Sequence, residues 1–163
     1  MTTIAYDGKT LVSDSQSSIG SLKYEDDCQK IFPNVGPFAA LGVAGSYQDC
    51  MDIINVISEY NKIDHIRSLD FKELNWQAEM IGITHEGQVW HYSGNRSFEL
   101  RPDLPYAVGS GADYALGAMA VGADATSAVL AAAQLDLYTN DKLQVATIRS
   151  TEEPEEDKEV TIH

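Results

Sequence analysis

Thr2, Asp14 and Lys30 are the residues whose types and order suggest a reaction. A cytosolic methionine aminopeptidase removes Met1 when a small residue follows it, which would leave Thr2 with a free α-amine beside its own hydroxyl. A threonine hydroxyl is a weak nucleophile until its proton is taken, and an N-terminal amine, with an ordinary pKa of about 8, can take it at neutral pH. A lysine ammonium nearby lowers the pKa of such an amine by like-charge repulsion, and an aspartate keeps that lysine ionised. Lys30 and Asp14 are the right types for these tasks. Gly45, placed between an apolar run and a helix start, can present its backbone N–H to an oxyanion without side-chain obstruction. Without those partners, Thr2-Thr3-Ile4 reads simply as the start of a β-strand.

The elements that must position these residues are legible in outline. Residues 3–6 and 10–13 flank Asp7-Gly8-Lys9, a hairpin signature, and the first thirty-five residues read as β-structure. Lys30-Ile31-Phe32 leads through Pro33-Asn34 and Gly36-Pro37 into Phe38–Gly45, an apolar run expected to be a buried strand ending at a glycine turn. Ser46-x-x-Asp49 reads as a capping box for an amphipathic helix over 47–62, and a short second helix is expected around 71–77. Residues 80–84, 88–92, 97–100 and 106–108 read as one antiparallel meander. Ser110-x-x-Asp113 reads as the cap of an Ala-rich helix to about Val121, and Asp124 as the cap of another over 125–134. Residues 143–148 are expected to form a closing strand paired with 160–162 across an acidic turn. The order fits an α+β sandwich in which two antiparallel sheets pack face to face and helix pairs cover the outside.

At 163 residues the chain fits one domain, 1–163, with a real core. A formal charge of −14 argues against nucleic acid or an anionic membrane surface as a partner, since either would repel it. Much of that charge lies in an acidic loop or tail at 150–159 around Pro154. No apolar run approaches the roughly 20 residues of a membrane helix and no export signal is recognisable, so a soluble, cytoplasmic protein is expected. Cys28 and Cys50 lack the spacing of a zinc site or disulfide framework and are expected to be reduced thiols. The histidines do not suggest a triad: His85 and His91 are placed in or beside a turn of the meander, and His163 is terminal.

Thr2-Thr3-Ile4, Ser13-Asp14-Ser15-Gln16, Lys30-Ile31-Phe32, Ala44-Gly45-Ser46-x-x-Asp49 and Val108-Gly109-Ser110-Gly111 resemble, in order and nearly in spacing, the landmarks of proteasome β-subunits. HslV-like peptidases are nearest in size, and Leu137-Tyr138-Thr139-Asn140 resembles their Ile-Tyr-Thr-Asn stretch. The resemblance runs from Thr2 to about Ile148. It implies the N-terminal nucleophile hydrolase fold, a four-layer αββα sandwich. Thr2 would attack, Lys30 and Asp14 would form the supporting ion pair, and the Gly45 amide would hold the oxyanion. Ser110, Asp136 and Thr139 fall where the family keeps a Ser and an Asp-x-x-Ser that hydrogen-bond the terminal amine, with Thr139 replacing the second Ser. Cys28 and Val43 match positions that line the family's specificity pocket, with Tyr47 nearby and Ser18 also on the substrate-binding side; this implies an apolar or small pocket, although core packing explains the same residues equally well.

The activity implied is that of a self-compartmentalising threonine endopeptidase acting on peptides or unfolded proteins, without metal or organic cofactor and with no propeptide beyond Met1. A homo-oligomeric ring, a hexamer or double ring, is the implied assembly. The chain has no Gly-x-x-x-x-Gly-Lys loop, so ATP-driven unfolding would need a separate ATPase. Two alternatives stay open: a catalytically silent ring or scaffold protein, which retention of Met1 would produce, and a small-amide amidohydrolase using the same nucleophile.

Overall fold

The computed structural model describes residues 2–67, 78–93, 96–148 and 160–162. The chain is α+β, with antiparallel sheets. The first sheet has the order β10-β1-β2-β11-β12, built from β1 (Thr3–Tyr6), β2 (Thr10–Ser13), β10 (Tyr106–Gly109), β11 (Gln144–Ile148) and β12 (Val160–Ile162). The second has the order β5-β6-β7-β8-β9, from β5 (Ile31–Val35), β6 (Phe38–Ala44), β7 (Glu79–Thr84), β8 (Val89–Ser93) and β9 (Arg96–Leu100). A separate two-stranded hairpin, β3 (Ser17–Ile19) with β4 (Leu22–Glu25), projects from the end of β2 and exposes Ile19, Leu22 and Tyr24.

Three apolar cores fix how the layers meet. Ile4, Tyr6, Leu11, Val108 and Ala146 of the first sheet share one core with Ile31, Ala40, Ala44, Ile81, Ile83 and Val89 of the second, so the two sheets face each other. The opposite face of the second sheet, carrying Phe38, Leu41, Val43, Met80 and Tyr92, packs on α1 (Tyr47–Ser58) and α2 (Ile63–Arg67) through Ile53, Ile57 and Ile66. The opposite face of the first sheet, carrying Ala5 and Val12, packs on α3 (Ala112–Ala120) and α4 (Ala125–Leu135) through Ala115, Ala125, Ala128 and Val129. Strand β6 is buried at every residue because neighbours flank it on both edges and layers cover both faces, which explains its unbroken apolar run. A register shift between Phe38 and Ala40 puts Phe38 and Leu41 on the helix side together.

Several expected elements are in place: the β1–β2 hairpin, the buried β6, the Ser46 and Asp124 caps, and the β11–β12 pair. Others need correction. Helix α1 ends at Ser58 rather than 62, and the chain turns before α2 at 63–67; the helix expected around 71–77 lies outside the described residues, as do the acidic segment 150–159 and His163. The meander stops at β9. Strand β10 crosses to the first sheet and pairs with β1, Thr3 opposite Gly109, because Val108 buries its side chain between the sheets. Ser110 does not cap α3; the N-cap is Gly111, and the Ser110 hydroxyl is engaged elsewhere. His91 is not at a turn: it lies within β8, opposite Ile81 on one side and Phe98 on the other, and burial pulls its pKa down. Among the described residues no helix is long and apolar enough to cross a membrane.

The inter-sheet core should dominate stability. Ile81→Ala removes a fully buried side chain between two sheets that cannot close the gap, so urea unfolding should show a loss of about 2–5 kcal/mol. Leu22→Ala, on the exposed hairpin, should stay within about 0.5 kcal/mol.

Candidate active site

Asp14 follows the last residue of β2, and Lys30 precedes the first residue of β5, so each sheet contributes one partner of an ion pair. Lys30 Nζ lies 2.8 Å from Asp14 Oδ1, with the carboxylate fully buried and the lysine side chain nearly so. The same oxygen accepts the Thr3 N–H at 3.1 Å, while Oδ2 accepts the N–H groups of Gln16 at 3.1 Å and Asn140 at 3.2 Å. The Asp14 N–H returns a bond to the Thr3 carbonyl at 3.2 Å. The pair is therefore fastened to the backbone immediately after Thr2. Burial pulls the Lys30 pKa below the ordinary lysine range, against the opposing pull of Asp14.

A second carboxylate anchors the other side. Asp136, at the C-terminal end of α4, accepts the hydroxyls of Ser110 and Thr139, each at 2.6 Å on Oδ2, and the Tyr138 N–H at 3.1 Å on Oδ1. Burial alone would raise its pKa, but the bonds from Ser110, Thr139 and Tyr138 outweigh it and hold the carboxyl below the usual range. An ionised Asp136 can only accept, so Thr139 donates to it and must in turn accept the Thr3 hydroxyl, 2.6 Å away. Ser110 has one proton, and Asp136 holds it. The Thr2 carbonyl lies 3.4 Å from the Ser110 oxygen, at the limit of hydrogen bonding.

Two glycines let the backbone close on Thr2. Gly109, at φ +96°, packs directly on the Thr2 carbonyl, and any Cβ there would overlap it. Glu79, at the start of β7, accepts the Gly109 N–H at 3.1 Å and so ties the second sheet to this contact. Gly45, at φ +137°, turns the chain from β6 into α1; a Cβ there would stand 2.9 Å from the Ala78 Cα.

The structure thus joins five of the candidate residues, Asp14, Lys30, Ser110, Asp136 and Thr139, through one hydrogen-bonded set that runs through Thr3, with the Thr2 carbonyl packed beside it against Gly109. Thr2 itself is 4 % exposed. Gly45 packs on Ala78 and carries no side chain into that set. Of the substrate-side residues, Ser18 is tethered through the Gln16 amide, which donates to its hydroxyl at 3.2 Å, and half-buried Cys28 donates its N–H to the Ser15 carbonyl at 2.9 Å. Val43 donates its N–H to the Lys30 carbonyl at 3.0 Å, but its side chain belongs to the core under α1. Tyr47 is exposed at the start of α1. Burial raises the pKa of Cys28 and pushes that of Cys50 to about 11, so neither thiol offers a thiolate at neutral pH. Among the described residues no three His, Cys, Asp or Glu side chains group as metal ligands.

Thr3, Gln16 and Asn140 stand within the landmark motifs but were given no site role by sequence, and Glu79 and Gln144 were not singled out at all. Gln144 carried a readable signal, a polar residue on the inward face of a strand whose next inward residue is the buried Ala146. Comparison with protein-family models and with curated proteins returned no match for this chain.

Asp136 makes a direct test. Its folded pKa lies below the ordinary 3.8, so its stabilisation is complete above 3.8 and is lost as the pH falls through the folded value. Asp136→Asn should cost about 2 kcal/mol at neutral pH and flatten the acid limb of stability below about pH 4, read by urea unfolding.

Proposed function

We propose that this chain is a threonine peptidase of the N-terminal nucleophile hydrolase type, with the αββα fold of that superfamily, resembling HslV-like peptidases and proteasome β-subunits. The observation that carries the reading is the buried Lys30–Asp14 pair, whose carboxylate also holds the amide of Thr3. A desolvated ion pair contributes little net stability, so its hold on the amide that follows Thr2, the candidate nucleophile, supports a chemical role.

In this chain the nitrogen of Thr2 is an amide until Met1 is removed. Removal produces the α-amine, whose pKa the Lys30 ammonium lowers, leaving it neutral and able to accept the Thr2 hydroxyl proton. The Thr2 oxygen then attacks the scissile carbonyl. The Gly45 N–H steadies the resulting oxyanion, and the amine passes the proton to the departing amino group, leaving an acyl ester on Thr2. The same amine next takes a proton from water, and the hydroxide formed attacks the ester, releasing the carboxylic acid and restoring the hydroxyl. Ser110, Asp136 and Thr139 fix the direction of the amine.

The substrate class is peptide or unfolded protein, enclosed in a homo-oligomeric ring, with unfolding supplied by a separate ATPase. Exposed Ile19, Leu22 and Tyr24 on the β3–β4 hairpin, and Leu135 and Leu137 at and just past the end of α4, support an assembly that covers apolar surface. Two free thiols fit a reducing cytoplasm.

Intact mass before and after a threonine-reactive epoxyketone tests the reading, together with fluorogenic peptide and small-amide assays. Processed protein should lack Met1, gain one inhibitor and cleave the peptide. Thr2→Ala and Lys30→Ala should each lower kcat by about 10³-fold or more, while Thr2→Ser keeps measurable turnover. Cleavage by material that quantitatively retains Met1 would refute the reading, as would processed protein that neither reacts nor cleaves. A preference for small amides would favour the amidohydrolase alternative.

A further inference from the structure

We propose that Gln144, on β11, is a positioning residue that sets the geometry of the Asp14–Lys30 pair; the proposal rests on the peptidase reading for its kinetic consequence and on the structure alone for its geometry. The two partners leave different sheets, and their bond spans the gap between the end of β2 and the start of β5. Gln144 stands opposite Ser13 in the β2–β11 ladder, one residue from Asp14, and reaches across that gap. Its Oε1 accepts the Lys30 N–H at 2.9 Å and the Ile31 N–H at 3.2 Å. Its Nε2 donates to the Cys28 carbonyl at 2.7 Å and to the Ser15 hydroxyl at 2.9 Å, and lies 3.5 Å from the Asp14 carbonyl.

Only a carboxamide matches this arrangement. Two backbone donors face one end and carbonyl and hydroxyl oxygens face the other, so the amide orientation is dictated by its neighbours, and a carboxylate would set an acceptor against the Cys28 carbonyl. The Val43 N–H holds the Lys30 carbonyl and Gln144 holds the Lys30 N–H, so removing the carboxamide loosens the lysine root on the side that faces the carboxylate. Gln144 does not touch substrate. It acts through Lys30.

The test is the titration of Lys30, followed by the 13Cε signal of labelled lysine and assigned with Lys30→Arg, in the wild type, in Gln144→Met and in Gln144→Glu. In folded variants the Lys30 midpoint should move by about half a pH unit or more as the Asp14 contact changes. In processed protein, kcat should fall about 10- to 100-fold with KM within about threefold, and the acid limb of the kcat profile should move to higher pH as the amine loses the influence of the ammonium. An unchanged Lys30 midpoint in either folded variant overturns the proposal. So does loss of the fold in both, which would make the residue structural. Should processed wild-type protein be inactive, the peptidase reading falls, while the Lys30 titration still decides the role of Gln144.

Discussion

The carboxylate of Asp14 has no contact with solvent, and Lys30, Thr3, Gln16 and Asn140 all take their positions in the site from it. Removing such a charge from water costs several kcal/mol unless its lone pairs are filled, and here four donors fill them: the Lys30 ammonium and the amides of Thr3, Gln16 and Asn140. These donors come from four separate stretches of chain. The carboxylate therefore acts as a node that brings β1, the turn after β2, the approach to β5 and the segment before β11 to one point. Hydrophobic residues of equal volume would stabilise such a node at least as well, but they would not hold a cation on the carboxylate that binds the Thr3 amide.

The node depends on the distance between the sheets, which the shared apolar core sets. Ile4, Leu11 and Ala146 on one side, and Ile31, Ala40 and Ile81 on the other, are all fully buried, so the layers cannot slide without opening voids. Lys30 follows from this. It enters from the second sheet, directly before Ile31, and its reach to Asp14 is fixed by that core. The crossing of the chain from β9 to β10 has the matching effect on the other side, placing Gly109 against Thr2 and Ser110 against Asp136.

Much of this was legible in the residues. The hairpin at Asp7-Gly8, the buried β6 and the capped helices at Ser46 and Asp124 follow local rules of turn chemistry and periodicity, and the structure places them accordingly. The Asp14–Lys30 contact was legible only through order along the chain, since sixteen residues of spacing say nothing about distance. What local rules missed was decided by tertiary competition. Ser110 has the pattern of a helix cap, yet the helix starts one residue later, with Gly111 at the N-cap, and the Ser110 hydroxyl is turned to the Asp136 carboxylate. Strand β10 reads like a continuation of the meander because period-two alternation does not specify which sheet a strand joins. Gln144 reads as an ordinary strand residue until the backbone donors of Lys30 and Ile31 are placed opposite it.

The two carboxylates flanking Thr2 are satisfied in different ways, and the difference bears on the proposed chemistry. Asp14 is matched to a cation, so its charge is largely cancelled locally. Asp136 is matched to two hydroxyls and a backbone N–H, which leave its negative charge in place. An α-amine released at Thr2 would feel opposing influences, with the Lys30 ammonium favouring its neutral form and the Asp136 carboxylate favouring its protonated form. A group that must accept a proton from a hydroxyl and then give it to a leaving amine works best when neither form is strongly preferred. A lone cation would leave the amine too weak a base to deprotonate threonine, and a lone carboxylate would keep it protonated. Asp136 itself is held by the Thr139 hydroxyl, which in turn accepts the Thr3 hydroxyl, so this second carboxylate is tied to the residue next to Thr2 just as Asp14 is tied to the Thr3 amide.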